Sequence, residues 1–451
     1  MGAFLLERCG ILYLVTYPPQ IEIFPLSSPL RATVKVPGSK SITNRALALA
    51  ALSDGPLTLT GALFADDTQR MQDCLKALGF AIEADPLTTT ITVQGEGGSI
   101  PASQAELFVG NSGTTARFIS PIATLGHGTF HLDGVARMRE RPIGDLVKSL
   151  EGLGVVVDCP TGCPPLTIHA RGLHGGSTTI RADASSQFLS GLLLAAPFAD
   201  AEETIIQVEG PVLSAPYVRM TQAMLAQFGL STSNRGQEYR VPGRQQMRRR
   251  ELGFRRIGSY TIEPDASAAS YFFAAAAVTG GWVRIHGLGP GSLQGDTQFV
   301  KVLEAMGCEI VMANGAIDVH GPEQLRGITL DMNAISDTVM TLAAIAPFAS
   351  SPTVIENVGH IRHKETDRLT AVVAELTRLG VDVEERSDGL TIYPAKSLRP
   401  ATIQTYDDHR MAMAFAITGL RSPGIVIDTP ACVAKTFPDF FECLEELCAA
   451  G

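Results

Sequence analysis

The sequence predicts an α/β protein of two domains, each made of three repeated βαβαββ units. A phrase that opens on a polar residue and runs into an Ala-, Leu- or Phe-rich stretch occurs six times, with starts 73, 73, 80, 71 and 71 residues apart. A second phrase, a helical pattern that closes on an apolar residue and a glycine, recurs between the copies at intervals of 75, 75, 78 and 73 residues. Two interleaved periods of similar length indicate one structural unit used six times.

The first phrase predicts six helices whose first turns favour anions. Each copy opens on Ser or Asp, whose side chains accept hydrogen bonds from the first N–H groups of a helix. Several such N-termini on one surface would present N–H groups and positive dipole ends to a negatively charged ligand. The copies start at Ser39 (SKSITNRALALAAL), Ser112 (SGTTARFISPIATL), Ser185 (SSQFLSGLLLAAPFA), Asp265 (DASAASYFFAAAAV), Ser336 (SDTVMTLAAIAPFA) and Asp407 (DDHRMAMAFAITGL).

The second phrase and the segments around it complete the unit. The second helices are expected to end at Leu78-Gly79, Leu153-Gly154, Phe228-Gly229, Met306-Gly307 and Leu379-Gly380. Short alternating segments predict strands, at 57–60, 90–93, 129–132, 166–169, 204–208, 282–285, 316–319 and 390–393. The resulting order is strand, helix, strand, helix, strand, strand.

The longest interval between repeats contains an Arg-rich segment, residues 234–259. It has almost no interleaved aromatic residues and the chain carries a net charge of -10, so we interpret it as a solvated hairpin or loop and not as a nucleic-acid surface. The segment lies near the midpoint of the six units, which favours a domain crossing close to residues 262–265. A second crossing is expected near residues 37–40.

These crossings give the expected domains. One is 39–262, and the other joins 20–38 to 263–451. Residues 1–19 are an extension that need not be ordered. Their short apolar stretch has neither a clear basic start nor a small-residue cleavage site, so a signal peptide is not expected.

The composition limits the class of protein. With 45% hydrophobic and 18% charged residues, the chain can bury a large core. No apolar run approaches about 18 residues, so no membrane-spanning helix is expected. The eight cysteines include the close pair Cys159 and Cys163, but no second pair completes a zinc-ligand set. We therefore expect a cytoplasmic protein without a metal site.

Basic residues near the starts of the predicted helices are candidate ligands for an anion. Any one of them alone is more often part of a solvated helix face, but their recurrence at corresponding ends of the repeats favours a shared site. They are Arg45, Arg117, Arg137, Arg139, Arg141, Arg362, Lys364, Arg368, Arg410 and Lys435.

No nucleotide-binding motif accompanies these cations. The run Gly38-Ser39-Lys40-Ser41 lacks the upstream glycine of a P-loop, and no dinucleotide fingerprint follows a strand. Neither ATP nor NAD is indicated.

Eleven stretches, in order over about 400 residues, carry a resemblance to a known family. The chain closely resembles the 5-enolpyruvylshikimate-3-phosphate (EPSP) synthase family of enolpyruvyl transferases. The matching stretches are PGSKSITNRAL from Pro37, GNSGTTAR from Gly110, RMRERPIGDLV from Arg137, SSQFLSGLL from Ser185, SAPYV from Ser214, DASAASYFFAAA from Asp265, QGD from Gln294, DMNAISD from Asp331, HKETDRL from His363, YDDHRMAM from Tyr406 and AKTFPDFF from Ala434.

The resemblance implies a reaction and a closing two-domain architecture around a central cleft. The enolpyruvyl group of phosphoenolpyruvate would pass to the 5-hydroxyl of shikimate 3-phosphate, with release of phosphate, by addition and elimination through a tetrahedral intermediate. This step belongs to the shikimate pathway of aromatic amino-acid biosynthesis. The resemblance implies no cofactor and no metal, only the two small substrates as partners, no nucleic acid, no membrane and a monomer. It also implies a target of the herbicide glyphosate, which would fit beside Gly113.

The family pattern further assigns residues to each substrate. Both substrates are phosphorylated carboxylic acids, for which Arg and Lys are suited. Shikimate 3-phosphate would lie against Lys40, Ser41, Arg45, Ser185, Ser186, Gln187, Ser214, Asp337 and Lys364. Phosphoenolpyruvate would lie against Lys40, Gly113, Thr114, Arg141, Gln187, Arg368, Arg410 and Lys435.

Three of the assigned residues would be catalytic. Asp337 would accept the proton of the attacking hydroxyl, and Glu365 would deliver a proton to the methylene carbon with Lys40 assisting. Two structural alternatives stay open: Asp337 could cap a helix, and Glu365 could form a salt bridge with Arg368 on one helix face.

Three other functions are weighed against this one. A UDP-N-acetylglucosamine enolpyruvyl transferase shares the repeats, but that family typically uses a Cys where this chain has RMRERPI. An RNA 3′-phosphate cyclase-like or RNA-binding protein would use fewer units. A non-catalytic anion-binding descendant is disfavoured because Lys40, Asp337, Glu365 and Lys435 are all present.

Overall fold

The computed structural model describes residues 5–8, 11–14, 16–182, 185–249, 257–313 and 315–450. The chain divides into two compact units. We call residues 39–262 the continuous unit, and residues 1–38 with 263–451 the discontinuous unit. Both contain helices and small mixed sheets, so the expected α/β class is confirmed.

The helices and strands alternate along the chain. The strands are β1 Leu5–Arg8, β2 Ile11–Leu14, β3 Gln20–Ile23, β4 Arg31–Val34, β5 Asp54–Thr60, β6 Ile82–Asp85, β7 Thr90–Glu96, β8 Gln104–Phe108, β9 His127–Asp133, β10 Val156–Asp158, β11 Leu166–Arg171, β12 Gly176–Arg181, β13 Glu203–Glu209, β14 Ser233–Arg235, β15 Glu238–Pro242, β16 Ser259–Thr261, β17 Trp282–His286, β18 Glu309–Ala313, β19 Ala316–His320, β20 Thr329–Asp331, β21 Thr353–Glu356, β22 Val383–Arg386, β23 Gly389–Ile392, β24 Ala401–Ile403 and β25 Ile425–Asp428. The α-helices are α1 Lys40–Leu52, α2 Asp66–Ala77, α3 Gly113–Ala123, α4 Gly144–Gly152, α5 Ser186–Ala195, α6 Ala215–Gln227, α7 Arg244–Arg249, α8 Ala266–Thr279, α9 Phe299–Ala305, α10 Val339–Ile345, α11 Arg368–Arg378, α12 His409–Gly419 and α13 Phe440–Ala450. Short 3-10 helices cover Met138–Glu140, Ala196–Phe198, Gly295–Gln298, Asn333–Thr338, Ala346–Phe348, Gly359–His363 and Pro430–Lys435.

One sheet pattern recurs through both units. In β8–β9–β11–β10, the first pair is parallel and the next two are antiparallel. The same pattern orders four further sheets: β12–β13–β15–β14, β16–β5–β7–β6, β4–β17–β19–β18 and β20–β21–β23–β22. Among the described residues the sixth sheet, β24–β25–β3, has three strands. The parallel pair needs a helical crossover, which the Ala- and Leu-rich helix between its strands supplies in the uninterrupted repeats.

Three sheets near the points where the chain passes between the two units include a strand from a distant part of the sequence. In the continuous unit, β16 lies parallel to β5 and completes the sheet of the first repeat. In the discontinuous unit, β4 lies parallel to β17, and β3 lies antiparallel to β25. Strands that lie next to the crossings in sequence therefore complete or extend the sheets of distant repeats.

The expected helix caps are found at four of the six repeats, and at a fifth the cap lies one residue later. Ser39, Ser112, Ser185 and Asp265 each accept a hydrogen bond from a first-turn N–H group. At the sixth copy the cap is Asp408 and not Asp407. These helices are buried along their length; in α3 and α12 every residue is buried. Because the helix bodies are buried, the polar side chains of these helices lie mainly in their first turns.

The copy at Ser336 departs from this pattern. Ser336 and Asp337 lie inside the 3-10 helix Asn333–Thr338, whose Ile335 has a non-helical conformation. The α-helix then begins at Val339 without a side-chain cap. The interpretation of Asp337 as a helix cap is therefore wrong, and its carboxylate is used elsewhere.

The second helices end as expected. Each is followed by an apolar residue and a glycine with φ between +79° and +109°, a conformation that a residue with a Cβ rarely adopts. The glycines are Gly79, Gly154, Gly229, Gly307 and Gly380. All eight expected strand segments lie within strands, except that Tyr393 follows the end of β23.

The two atypical segments are partly described. In the N-terminal extension, β1 and β2 form an antiparallel hairpin, while residues 1–4, 9–10 and 15 lie outside the described part of the chain. The Arg-rich segment contains the hairpin β14–β15 and the short helix α7, and residues 250–256 are not described. No helix in the described ranges is long and apolar enough to cross a membrane. Nor do those residues include a group of three or more His, Cys, Asp or Glu side chains that could hold a metal ion.

Candidate active site

In the continuous unit, the first turns of α1 carry three of the candidate residues. Lys40 begins the helix directly after its cap, and its Nζ lies 3.7 Å from Oδ2 of Asp67. Arg45 is buried one turn later. Its Nε donates to Oγ1 of Thr221 at 2.8 Å and its Nη1 donates to the carbonyl of Ser41 at 2.9 Å. Burial lowers the pKa of Arg45 to about 10, so the guanidinium stays charged at neutral pH.

The start of α3 collects a second group. Nη1 of Arg141 donates to the carbonyl and to Oδ1 of Asn111, at 3.0 and 3.2 Å, one residue before the helix cap. Arg117 donates from Nη1 to the carbonyl of Gly113 at 3.1 Å. A Cβ on Gly113 would lie 2.4 Å from Nη2 of Arg141 and 2.6 Å from Nη1 of Arg117, so only glycine leaves both guanidinium groups where they are.

The start of α5 meets the start of α3. Nε2 of Gln187 donates to Oγ1 of Thr114 at 3.0 Å, and Ser185 caps α5 by accepting from the backbone N–H of Gln187. Ser186 is buried beside this cap. Ser214, also buried, directly precedes α6, the helix whose Thr221 binds Arg45.

In the discontinuous unit, Asp337 is the centre of a cationic cluster. Its Oδ2 accepts from Nη2 of Arg410 at 2.7 Å, and its Oδ1 accepts from Nη1 of Arg368 at 3.2 Å. Nζ of Lys364 lies 3.9 Å from the same Oδ1. These three cations fix the position of the Asp337 carboxylate.

Glu365 belongs to the same cluster. Nη2 of Arg368 donates to its Oε2 at 2.9 Å, and Nζ of Lys435 lies 3.7 Å from its Oε1. The expected Glu365–Arg368 salt bridge is confirmed, but a shared helix face is the wrong reason. Glu365 lies in the turn before α11, which begins at Arg368.

Asp408, to which the sequence analysis gave no role, joins two of these cations. It is fully buried, and its carboxylate accepts from Nε and Nη2 of Arg368 at 2.8 and 3.3 Å. The same carboxylate caps α12 by accepting from the backbone N–H of Arg410 at 2.9 Å. Its place in the Asp407-Asp408 pair at the start of the sixth copy, two residues before Arg410, was the sequence signal for this role.

Burial and the charges of the cluster shift the pKa values of its neighbours. Burial, together with the nearby Lys364, lowers the pKa of the His360 imidazole to about 4. Burial, together with the charge of Asp337, raises the pKa of Asp296 to about 6. Burial would lower the pKa of Arg368, but Asp408, Glu365 and Asp337 outweigh it and raise that pKa. Arg368 is therefore permanently charged.

Each unit thus places buried cations beside the start of a repeat helix. In the discontinuous unit these are Arg368, Arg410 and Lys435, with the half-buried Lys364 beside them, and in the continuous unit they are Lys40, Arg45, Arg117 and Arg141. Repeated α/β units with such clusters are typical of enzymes that bind small anionic metabolites.

Comparison with known proteins narrows this class to one family. The family model described as EPSP synthase (3-phosphoshikimate 1-carboxyvinyltransferase) matches residues 26–444. The chain belongs to the EPSP synthase family.

Individual relatives agree with the family model. The chain is 52% identical over 424 residues to a 3-phosphoshikimate 1-carboxyvinyltransferase of Nostoc sp., with 93% of this chain and 97% of that protein covered. It is 43% identical over 435 residues to the chloroplastic 3-phosphoshikimate 1-carboxyvinyltransferase of Brassica napus, with 92% and 82% covered. It is similar in structure to EPSP synthase from Acinetobacter baumannii, with a TM-score of 0.78, 27% identity, and 95% and 98% of the two chains covered.

Proposed function

We propose that this protein transfers the enolpyruvyl group of phosphoenolpyruvate to the 5-hydroxyl of shikimate 3-phosphate and releases phosphate. Besides the family membership, one observation carries the proposal. Asp337 and Glu365, the two carboxylates proposed for proton transfer, both accept hydrogen bonds from the buried guanidinium of Arg368. A common cationic partner holds two proton-transfer groups at fixed positions in one cluster.

Phosphoenolpyruvate is proposed to bind through cations and one helix start. Arg368, Arg410 and Lys435 are assigned to its carboxylate and phosphate. Lys40, Arg141 and Gln187 are assigned to the same substrate, with Gly113 and Thr114 presenting the N–H groups of α3. Guanidinium groups form paired hydrogen bonds with planar carboxylates and phosphates, which gives orientation as well as affinity.

Shikimate 3-phosphate is proposed to bind chiefly through hydroxyl groups and capped helices. Its phosphate would lie against residues at the starts of α1, α5 and α6, where N–H groups favour an anion. Its ring hydroxyls are assigned to the carboxylate of Asp337 and the ammonium group of Lys364. The residues are Lys40, Ser41, Arg45, Ser185, Ser186, Gln187, Ser214, Asp337 and Lys364.

The proposed chemistry has two balanced steps. In the addition, Asp337 accepts the proton of the 5-hydroxyl as its oxygen bonds to the central carbon of phosphoenolpyruvate, and Glu365, assisted by Lys40, gives a proton to the methylene carbon. In the elimination, the new methyl group returns a proton to the Glu365 carboxylate, the carbon–oxygen bond to phosphate breaks with its electron pair passing to the phosphate oxygen, and the double bond re-forms. Neither step transfers electrons to an external acceptor, so the scheme calls for positioning and charge stabilisation, without an organic cofactor.

A phosphate-release assay tests the proposal. Phosphate should appear when the protein receives both phosphoenolpyruvate and shikimate 3-phosphate, and not when UDP-N-acetylglucosamine replaces the second substrate. Release with the nucleotide sugar would assign the chain to the other enolpyruvyl transfer. Binding without release of phosphate would instead favour a non-catalytic anion-binding protein.

The proposal extends to the state of the protein in the cell. We infer a cytoplasmic monomer that works on freely diffusing metabolites. Light scattering of the purified protein should give the mass of one 47.9 kDa chain. A mass of two or more chains would overturn the monomer.

A further inference from the structure

The segment 404–408, which leads into α12, is held by a buried carboxylate that the proposed chemistry does not use. Glu375 lies in α11 and is fully buried. Its Oε2 accepts from the backbone N–H of Gln404 at 3.1 Å, and its Oε1 accepts from the hydroxyl of Tyr406 at 2.6 Å. On the solvent side, Nε of Arg378 donates to Oε2 at 3.0 Å.

The same helix holds the segment at a second point. Arg368, the first residue of α11, binds the carboxylate of Asp408 through two nitrogen atoms. Glu375 follows about two turns later on that helix. The helix therefore fixes the beginning of the segment through Glu375 and its end through Arg368.

The backbone of the segment explains why two attachment points are needed. Tyr406 and Asp407 have φ values of +55° and +53°, so two consecutive residues with side chains adopt the left-handed conformation. Such residues persist in that conformation only where the surroundings hold them. Asp408 and Arg410 follow at once, so the bend decides where both side chains lie.

We propose that Glu375 is a positioning residue for the binding of phosphoenolpyruvate. By holding Gln404 and Tyr406, it sets the bend that places Asp408 against Arg368 and directs Arg410 to Asp337. This inference rests on the proposed function, which assigns Arg368 and Arg410 to phosphoenolpyruvate. Shikimate 3-phosphate depends mainly on residues of the continuous unit and should be far less affected.

The test compares four variants of the full-length protein. Glu375→Ala removes both attachments, Glu375→Gln keeps one acceptor oxygen, and Tyr406→Phe removes one donor of the segment. Arg378→Gln removes the solvent-side ion pair but leaves both bonds to the segment. Asp318→Asn is the control, because it breaks a carboxylate–arginine pair between β17 and β19 in the same unit, away from the candidate residues.

The expected result is a selective loss of affinity for phosphoenolpyruvate. The KM for phosphoenolpyruvate should rise about 30-fold in Glu375→Ala and about fivefold in Glu375→Gln and Tyr406→Phe. These values correspond to the loss of two or one of the buried hydrogen bonds to the Glu375 carboxylate. The KM for shikimate 3-phosphate should stay within about threefold, and kcat should fall less than the KM rises. Arg378→Gln and Asp318→Asn should both stay within about twofold of the parent protein.

Three results would overturn the inference: an unchanged KM for phosphoenolpyruvate in Glu375→Ala, an equal rise for both substrates, or an effect of Arg378→Gln as large as that of Tyr406→Phe.

Hydrogen exchange gives a readout that does not depend on activity. The amides of Arg410 and Met411, which bond to Asp408, should exchange faster in Glu375→Ala than in Asp318→Asn. If the parent protein releases no phosphate, the proposed function fails, and this exchange measurement still decides the role of Glu375.

Discussion

The two units hold their arginines in different ways. In the continuous unit, the hydrogen bonds described for Arg45 and Arg141 go to neutral oxygens of hydroxyl, carbonyl and amide groups. In the discontinuous unit, Arg368 is bonded to three carboxylates, those of Asp337, Glu365 and Asp408. Both arrangements orient a buried guanidinium, but only the second compensates its charge.

This difference separates two tasks that an enzyme for anionic substrates must perform. A guanidinium held by neutral acceptors has no negative charge among those partners, so its positive charge is available to a ligand. Its burial is unfavourable, as the lowered pKa of Arg45 indicates. A guanidinium surrounded by carboxylates is less attractive to an anion, but it fixes groups that can exchange protons. We infer that Arg45 and Arg141 serve binding alone, whereas Arg368, besides its proposed contact with phosphoenolpyruvate, fixes the two carboxylates assigned to proton transfer.

Removal of Lys40 should have the largest effect. Lys40→Met takes away an ammonium group that the proposed scheme uses in binding and in protonation, so kcat should fall on the order of 10³-fold. Circular dichroism should show an intact fold. Lys148→Met, which changes an exposed lysine of the same unit, is the control and should leave turnover unchanged. Activity near the parent level in Lys40→Met would contradict this role.

Two substitutions of Asp337 should separate proton transfer from bracing. Asp337→Ala should lower kcat on the order of 10²-fold while the KM values change little, because a general base is lost. Asp337→Asn keeps an oxygen that can accept from Arg410 and Arg368 but cannot serve as a base. Equal kcat losses in the two variants would support the base. A nearly active Asp337→Asn would mean that the carboxylate only braces the arginines.

Gly113→Ala should affect an arginine held by neutral partners. The new methyl group would lie 2.4 Å from Nη2 of Arg141 and would displace that guanidinium. Arg141 is held by hydrogen bonds to Asn111, which should break more readily than hydrogen bonds to carboxylates. We expect the KM for phosphoenolpyruvate and the inhibition constant of glyphosate to rise about tenfold each. Gly258→Ala, at a glycine with open space around it, is the control. An unchanged inhibition constant would show that glyphosate does not bind beside Gly113.

The smallest expected effect concerns pH. In the folded protein the pKa of His360 is about 4, below its unfolded value of 6.5, so the unfolded chain binds more protons between these values. Stability contributed by neutral His360 is therefore present above pH 6.5 and is lost as the pH falls towards 4. Between pH 7 and pH 5 the loss should be about 2 kcal/mol. Urea unfolding of the parent protein and His360→Asn should show this difference in pH dependence, and parallel curves would contradict it.

Local signals in the sequence predicted the elements of the fold well. The pairs Leu78-Gly79 and Leu379-Gly380 mark helix ends because the left-handed residue that follows a helix is usually glycine, and both adopt that conformation. The caps at Ser39 and Asp265 follow from equally local chemistry. The prediction of a helix cap at Ser336 was wrong. The backbone is irregular at Ile335, and nothing in the local sequence indicates this.

The network that holds the candidate residues was harder to predict. Asp408 and Glu375 act through partners 29 to 40 positions away in the chain, so their roles exist only after the fold has brought those partners together. The family resemblance supplied the residues assigned to substrates, but it gave no reason for their orientation. That reason lies in the carboxylates and carbonyls behind them, which periodicity and composition do not report.

The pairing of β3 with β25 has a consequence for how the protein is made. Gln20 lies opposite Asp428. The strand β3 is therefore synthesised early but cannot pair with β25 until almost the whole chain has left the ribosome. The continuous unit meets no such delay, since β16 returns to β5 as soon as residue 261 is available. Because domains generally fold as units and long-range pairing is slow, we expect the inserted half to be folded while both flanking pieces are still unpaired. The strand β3, one of the first to be made, would then be among the last to find its partner.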